Sequence, residues 1–187
     1  SGITVTDFPT FDGSRAATVT FERVVVPVEN LLAKGDRAKG ALRKAIDFGI
    51  VALCAQACGA MAYLTDSTIQ YLKTRKQFGQ PLANFQVLQH RLGEMLIQSE
   101  MGLSMTYVAT IALGDSDENK RSRLVSMAKV EVAAAARFVG EASVQSHGGM
   151  GVTDELEVGD YFKRLTYVDV LLGDTNYHLQ RMQDLEA

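Results

Sequence analysis

The first stretch with residue types suited to ligand chemistry is RKQFGQPL at residues 75–82, followed closely by Gln86. The guanidinium of Arg75 can bind a phosphate through two parallel hydrogen bonds, and the ring of Phe78 can stack on a flat ligand. The same residues also suit a helix C-terminus, where a cation complements the helix dipole. This stretch alone therefore predicts either a phosphate-and-ring contact or an ordinary helix end.

A second stretch, QSHGGMG at residues 145–151, contains three glycines around a polar turn. Glycine lets a ligand approach the backbone closely, and the exposed amides can donate to phosphate or carbonyl oxygens. The strand–turn–helix context of a dinucleotide or P-loop motif is missing. The alternative is a helix-to-helix turn that requires positive φ angles. His147 has no metal-binding partners at a suitable spacing and is expected to be a hydrogen-bonded structural histidine.

The third stretch, GDTNYH at residues 173–178, places the carboxylate of Asp174 at a predicted helix junction. A carboxylate that faces a cleft there can accept a proton. Aspartate immediately before a short helix is also a common N-cap. Both interpretations remain open from these residues alone.

The overall composition excludes several partner classes. There are 19 Lys and Arg against 22 Asp and Glu, a formal charge of −3, without a basic cluster, so no nucleic-acid partner is expected. Cys54 and Cys58 are the only cysteines and predict neither a disulfide framework nor a zinc site. We therefore expect a reducing, cytoplasmic environment.

An uncharged run at residues 48–65 is long enough to suggest a membrane span. It contains Gln56, two glycines and several alanines, and its helical pattern continues to Lys73 without interfacial tryptophan. These features predict a helix buried against other helices, and no membrane partner.

The elements that must position these stretches are predicted from periodicity and from the prolines. Residues 1–33 show strand alternation, with two strands joined through the turn FDGSR, and later residues show helical spacing. The fold class is therefore mainly α: an antiparallel four-helix bundle preceded by a short β segment, with the domain boundary between residues 38 and 39. The predicted helices are 40–76, 84–113, 117–145, one capped by Asp154, and a short last helix at 177–185.

Taken together and in this order, the three stretches resemble the C-terminal region of the acyl-CoA dehydrogenases. The similarity lies in RKQFGQPLANFQVLQHRLGEM (75–95), MAKVEVAAAARFVGEASVQSHGGMGVTDE (127–155) and YFKRLTYVDVLLGDTNYHLQRM (161–182). The segment TVTFERVVVPVENLL (18–32) resembles the last strand of that family's middle β-domain and its connection to the helices. The resemblance implies that residues 1–38 are the end of the β-domain and 39–187 the helical domain.

The resemblance implies FAD as cofactor and assigns residues to it. Arg75 is similar to the residue that contacts the FAD pyrophosphate, Phe78 to the aromatic that packs on the cofactor, and Gln86 to a further residue of that site. Gln145, Gly148 and Gly149 resemble the segment that receives the adenine-dinucleotide end of FAD across a subunit interface. A dimer, or a dimer of dimers, is therefore implied.

The resemblance further implies α,β-dehydrogenation of an acyl-CoA thioester, with an electron-transfer flavoprotein as acceptor. Family members abstract the α-proton with a glutamate at the last helix junction. Alignment on Gly173 places Leu172 there, and alignment on the following Leu-Gln-Arg places Asp174 there. The family's second position for the base corresponds to Gly49. Asp174 is therefore the predicted base, with Asp47 as the next carboxylate.

Two alternatives stay open. The GDTNYHL form resembles family branches in which two related subunits assemble, so the chain could belong to a non-catalytic subunit that completes a partner's flavin site. The other alternative is a helical oligomerisation module that binds no cofactor.

Overall fold

The computed structural model describes residues 2–153 and 155–185. It confirms a mainly helical bundle preceded by a β-hairpin. The strands and helices in chain order are β1 Ile3–Pro9, β2 Arg15–Phe21, α1 Gly35–Thr74, β3 Lys76–Gln77, β4 Gln80–Pro81, α2 Gln86–Ala112, α3 Glu118–His147, α4 Val158–Val170 and α5 Thr175–Asp184.

Helix α3 is the centre of the bundle and packs against α1, α2, α4 and α5. Its inward stripe consists of small and β-branched residues at three- and four-residue spacing, which lets the neighbouring helices approach closely. The Asp117 side chain caps its start by accepting hydrogen bonds from the backbone amides of Asn119 and Lys120, each at 3.0 Å. The side chains at the centre of the core are Ile50, Cys54, Met61, Leu64, Met95, Val125, Ala128, Val132, Ala135, Val139 and Leu165.

Helix α1 has 40 residues and is long and apolar enough to cross a membrane by length and composition. In this structure its apolar stripe packs on α2, α3 and α4. Cys54 and Cys58 lie within that buried stripe as free thiols. Burial raises the pKa of the Cys54 thiol to about 12, so it stays protonated. These contacts support the expected core role of the helix.

The buried face of helix α2 includes small residues. The three- and four-residue spacing of apolar residues in this helix would place Leu96 and Tyr107 in the core, but they are 54% and 61% exposed. Gly102 and Thr106 are buried instead. A Cβ added at Gly102 would lie 3.6 Å from the Cβ of Ala135 on α3, so small residues form the contact between these helices. Size rather than hydrophobicity sets the rotation of α2.

The N-terminal hairpin pairs β1 with β2 antiparallel, with Val5 opposite Val19. Its strand residues are largely exposed. The strand ends at Phe21, because Arg23 adopts a positive φ of 51°. The β-branched run at 24–26 therefore follows the sheet without joining it.

The start of α4 differs from the sequence-based expectation. The helix begins at Val158, and its N-cap residue Glu157 makes no side-chain capping bond. The predicted cap, Asp154, lies outside the described residues.

Candidate functional site

The site residues predicted from the sequence fall into two regions. The first, which we call the Arg75 end, comprises residues 75–86 and 145–149. The second, the α4–α5 junction, comprises residues 171–175.

The Arg75 end exists because α1 and α3 run parallel. Asp47, in the first half of α1, contacts Ser122 near the start of α3, and Tyr71 contacts His147 near the ends of both helices. The Tyr71 hydroxyl donates to the His147 carbonyl oxygen at 3.3 Å, and the two rings stack with centroids 4.3 Å apart. Arg75 directly follows α1. The two ligand-type stretches, distant in sequence, are therefore neighbours at one end of the bundle.

A tight turn presents the aromatic ring of the Arg75 end to solvent. Phe78 and Gly79 have φ angles of 55° and 81°, the pair of positive values that a two-residue hairpin between β3 and β4 requires. Phe78 is 88% exposed, and its ring meets Phe85 edge-on at 5.9 Å. Gln86 is exposed at the first position of α2. A flat ring and a cation thus project outward together.

The glycine turn at the end of α3 leaves its backbone open. Gly148 has a φ of 60° and a ψ of −137°, a conformation that side-chain-bearing residues rarely adopt. Among residues 2–153 and 155–185, nothing lies within 4 Å of a Cβ added at Gly148 or Gly149, so crowding by these residues does not require either glycine. Gln145 is exposed one turn earlier on α3.

His147 is structural, as expected from the sequence. It is 4% exposed, and its Nδ1 lies 2.8 Å from the Ser143 carbonyl oxygen, so Nδ1 donates. Among the residues described, no group of three His, Cys, Asp or Glu side chains could hold a metal ion.

The α4–α5 junction lies against α1 at Gly49. A Cβ added at Gly49 would lie 3.2 Å from Leu172 Cδ1. Leu172, one of the two residues that align with the family's first position for the base, is therefore close in space to Gly49, which aligns with the second. Leu172 has a φ of 58°, which costs about 1–2 kcal/mol for a residue with a side chain. Gly173, at a φ of 103°, completes the bend.

Asp174 is exposed and forms the N-cap of α5. Its Oδ1 accepts a hydrogen bond of 2.7 Å from the backbone amide of Tyr177. Asp169, at the end of α4, accepts from both the amide and the hydroxyl of Thr175, at 3.0 and 2.7 Å. The two aspartates therefore fix the first turn of α5 from both sides.

Two fully buried side chains hold the backbone of the junction. Lys129 Nζ donates to the carbonyl oxygens of Asp169 and Gly173, at 3.2 and 2.6 Å. His178 Nε2 lies 3.1 Å from the Leu172 carbonyl oxygen and therefore donates to it. Burial lowers the pKa of Lys129; burial, aided by that nearby cation, lowers the pKa of His178 to about 4, which keeps its imidazole neutral.

Asp47, the second candidate for the base, is wholly committed to the fold. It is 0% exposed, and its carboxylate pairs with Arg121 Nε at 3.1 Å and Arg181 Nη2 at 2.7 Å. The Ser122 hydroxyl donates to the same group at 2.9 Å. The prediction of Asp47 as a reserve base is therefore wrong, because this carboxylate anchors α5 and α3 to α1.

Sequence reasoning missed Lys129, His178 and Asp169. One signal was available: Lys129 is a charged residue within an apolar, alanine-rich stretch of α3. No local pattern indicates that its partners are backbone carbonyls about forty residues away, because that pairing depends on the path of α4.

Comparisons with known proteins identify relatives of this chain. The profile of the acyl-CoA dehydrogenase C-terminal domain matches residues 40–184. The mitochondrial short/branched chain specific acyl-CoA dehydrogenase of Bos taurus is 32% identical over 168 residues, which are 89% of this chain and 38% of that protein. CarC, a subunit of the caffeyl-CoA reductase-Etf complex of Acetobacterium woodii, is 30% identical over 146 residues, 78% of this chain and 38% of CarC.

A solved structure shows the same chain path. The steroid ACAD Tcur3481-Tcur3483 aligns with a TM-score of 0.85 at 26% identity, covering 99% of this chain and 48% of that one. The chain therefore spans less than half the length of these relatives. The family match over most of the chain, on a bundle that brings the matching motifs together, shows that this chain belongs to the acyl-CoA dehydrogenase family and forms its C-terminal helical domain.

Proposed function

We propose that this chain is the FAD- and acyl-CoA-binding C-terminal region of a flavin-dependent acyl-CoA dehydrogenase that catalyses α,β-dehydrogenation of CoA thioesters. The observation that carries the proposal is the Arg75 end. Two stretches that are distant in sequence supply exposed residues at one end of the bundle: Arg75, Phe78, Gln86, Gln145, Gly148 and Gly149.

The chemistry of the Arg75 end fits a dinucleotide. Arg75 supplies a cation for a pyrophosphate, the Phe78 ring supplies a flat apolar surface, and Gly148 and Gly149 allow close approach to backbone amides. The open space beside both glycines supports an external occupant, since none of the residues that the structure describes lies within 4 Å of a Cβ built there.

The spacing of the two regions supports a site shared between subunits. Gly49, which lies beside the junction, and Arg75, which directly follows α1, are 26 residues apart in sequence. At a rise of 1.5 Å per residue, this separation is about 39 Å along the helix axis. This exceeds the length of an extended FAD molecule. The Arg75 end of one chain and the junction of the same chain therefore serve different flavins, and we propose an oligomer whose subunits complete each other's sites.

Within this proposal, Asp174 takes the α-proton of the acyl-CoA, while bound FAD supplies the hydride acceptor for the β-carbon. The backbone changes direction after α4 at Leu172 and Gly173, and the Asp174 carboxylate that follows is exposed at the protein surface. The capping bond to Tyr177 engages Oδ1 and fixes the direction of the carboxylate.

The direct test uses the purified intact protein under anaerobic conditions. We expect a flavin absorbance spectrum that bleaches when a cognate acyl-CoA is added from a panel of straight-chain, branched, dicarboxylic and polycyclic thioesters. Protein that carries no flavin would favour a helical oligomerisation module instead. Flavin that no thioester bleaches would contradict the dehydrogenase proposal for this subunit acting alone.

A second candidate function is favoured by Leu172 and Gly49. Neither family position for the base holds a glutamate, and the Leu172 side chain lies against Gly49. This supports a subunit that completes a related partner's flavin site without performing proton abstraction itself. The name of the steroid ACAD relative joins two designations, Tcur3481 and Tcur3483, which supports such an assembly.

The substitution Asp174→Asn separates these two candidates. If Asp174 is the base, the rate of flavin reduction should fall about 100-fold or more while FAD content stays unchanged. If the chain completes a partner's site, the assembly that contains the variant should reduce flavin at the parental rate. Asp184→Asn, an exposed carboxylate at the end of α5, is the control.

We further propose an electron-transfer flavoprotein as the electron acceptor. The relative CarC belongs to a complex whose name includes Etf, which supports this class of partner. Reoxidation of the substrate-reduced protein by such a flavoprotein, in the absence of oxygen, would test the proposal. A reduced flavin that persists after its addition would contradict it.

A further inference from the structure

Lys129, one of the two buried side chains that hold the junction, is buried in an unusual way. Lys129 is 0% exposed, and its ammonium donates to two main-chain carbonyls rather than to a carboxylate. Lysine is almost never fully buried without a paired charge, because desolvation penalises the cation. A methionine would fill a similar volume without that penalty. Stability of the bundle alone does not account for a lysine here.

The carbonyls that Lys129 selects bracket the bend. The Asp169 carbonyl belongs to the last turn of α4, and the Gly173 carbonyl immediately precedes Asp174. The bond to Gly173 is the shorter of the two, at 2.6 Å against 3.2 Å. Lys129 therefore fixes the peptide that carries the proposed base.

His178 holds the same bend from α5. Its Nε2 donates to the Leu172 carbonyl, and its Nδ1 faces the Ser126 hydroxyl at 3.1 Å. Ser126 is one turn before Lys129 on α3, so a single stretch of α3 supports both contacts. Leu172 and Gly173, which have positive φ angles, are thus each held through the carbonyl oxygen.

We propose that Lys129 is a positioning residue, with His178 as its support, and that it holds the strained α4–α5 junction in the one conformation that directs the Asp174 carboxylate toward the substrate. This inference rests on the proposed dehydrogenase function. It assigns to Lys129 no contact with substrate or cofactor.

The test uses the intact protein and the substitution Lys129→Met, which keeps length and removes the charge and the donors. The first readout is amide hydrogen exchange, which requires neither cofactor nor activity. We expect exchange at residues 172–178 to accelerate at least tenfold, with exchange in α1 and α2 unchanged. The control is Thr106→Val, which removes a buried hydroxyl that bonds to the Gly102 carbonyl, away from the junction. It should leave residues 172–178 at the parental exchange rate.

The second readout is the rate of flavin reduction in a double-mutant cycle with Asp174→Asn. We expect Lys129→Met to lower kcat at least tenfold with little change in KM, and to have almost no further effect when Asp174 is already asparagine. This dependence on Asp174 separates positioning from a general loss of stability.

Each result decides one question. Unchanged exchange at 172–178 overturns the inference, as does faster exchange with an unchanged reduction rate, or an equal rate loss in the Asp174→Asn background. If the parental protein reduces no flavin, the proposed function fails, and the exchange experiment still shows whether Lys129 holds the junction. Should Lys129→Met fail to fold, Lys129→Gln retains an amide donor, and the same outcomes apply.

Discussion

The Arg75 end and the α4–α5 junction differ in the exposure of the side chains that form them. At the Arg75 end, the guanidinium, the Phe78 ring and the glycine amides are exposed on a frame held by the Tyr71–His147 contact. At the junction, buried side chains of Lys129 and His178 fix a strained backbone from within. The first region leaves its cation, aromatic ring and glycine backbone exposed, whereas the backbone of the second is held by buried side chains of the same chain. Substitutions should therefore separate binding from stability at one end and combine them at the other.

The largest effect on the free energy of unfolding is expected at Asp47, whose carboxylate joins α1 to α3 and α5. The substitution Asp47→Ala leaves Arg121 and Arg181 without their shared carboxylate, and breaking a buried ion pair in this way costs about 3–5 kcal/mol. Urea denaturation should show this loss. Glu141→Ala, which removes an exposed pair with Arg137, should cost about 0.5 kcal/mol or less. Equal losses in the two variants would remove the contrast between buried and exposed regions.

The junction should also make stability depend on pH. The pKa of His178 is about 4 in the folded protein, against about 6.5 for a free imidazole, so the unfolded chain takes up a proton more readily between these values. Stability should therefore fall by roughly 3 kcal/mol as the pH drops from 6.5 to 4 and be unaffected by this group above 6.5. Urea titrations across this range would measure the slope. His178→Gln should flatten it, and His90→Gln, which removes an exposed imidazole, should not.

At the Arg75 end, the substitution Arg75→Ala should weaken FAD retention about 10- to 150-fold, because a charge-assisted phosphate contact contributes about 1.5–3 kcal/mol. The melting temperature of the flavin-free protein should stay unchanged. Arg75→Lys should recover part of the affinity. Lys73→Ala removes another exposed cation from the same helix end and is the control. Parental FAD affinity in Arg75→Ala would show that Arg75 is only a helix-end cation.

The smallest effect is expected in the glycine turn that follows α3. Gly148→Ala should cost about 1–2 kcal/mol of stability, because alanine is strained at a φ of 60°. Gly149→Ala, which has open space and no positive φ, should leave the free energy of unfolding nearly unchanged. If FAD contacts this turn, both variants should lose FAD affinity, as measured by flavin titration. A loss confined to Gly148→Ala would indicate that only the backbone conformation matters.

The two regions also differ in how much of them the sequence reveals. The cation, aromatic residue and glycines of the Arg75 end lie within short motifs, so residue types and local spacing suffice to find them. The helices were likewise predicted to within a few residues, because each carries its own periodicity. Periodicity alone would bury Leu96 and Tyr107, which are exposed, because small residues at the contact with α3 decide which face of α2 packs inward.

The contacts of the junction could not be predicted in this way. Lys129 meets the Gly173 carbonyl across 44 positions of sequence, and Asp47 meets Arg181 across 134. Neither contact forms a local motif: a backbone carbonyl has no residue type, and the two side chains of the Asp47–Arg181 pair lie far apart in sequence. Such contacts become visible only when the paths of the helices are known.

The 40-residue helix α1 also restricts how this chain can change over evolution. Inserting one residue between Gly49 and Arg75 would move the two positions about 1.5 Å apart along the axis and rotate one about 100° relative to the other. The Arg75 guanidinium would then project from a different side of the bundle, away from the residues near His147 that are its neighbours now. Length changes in this helix should therefore be rejected in related sequences. The turn at residues 113–117 and the loop between β1 and β2 can accept them, because neither connects the two regions.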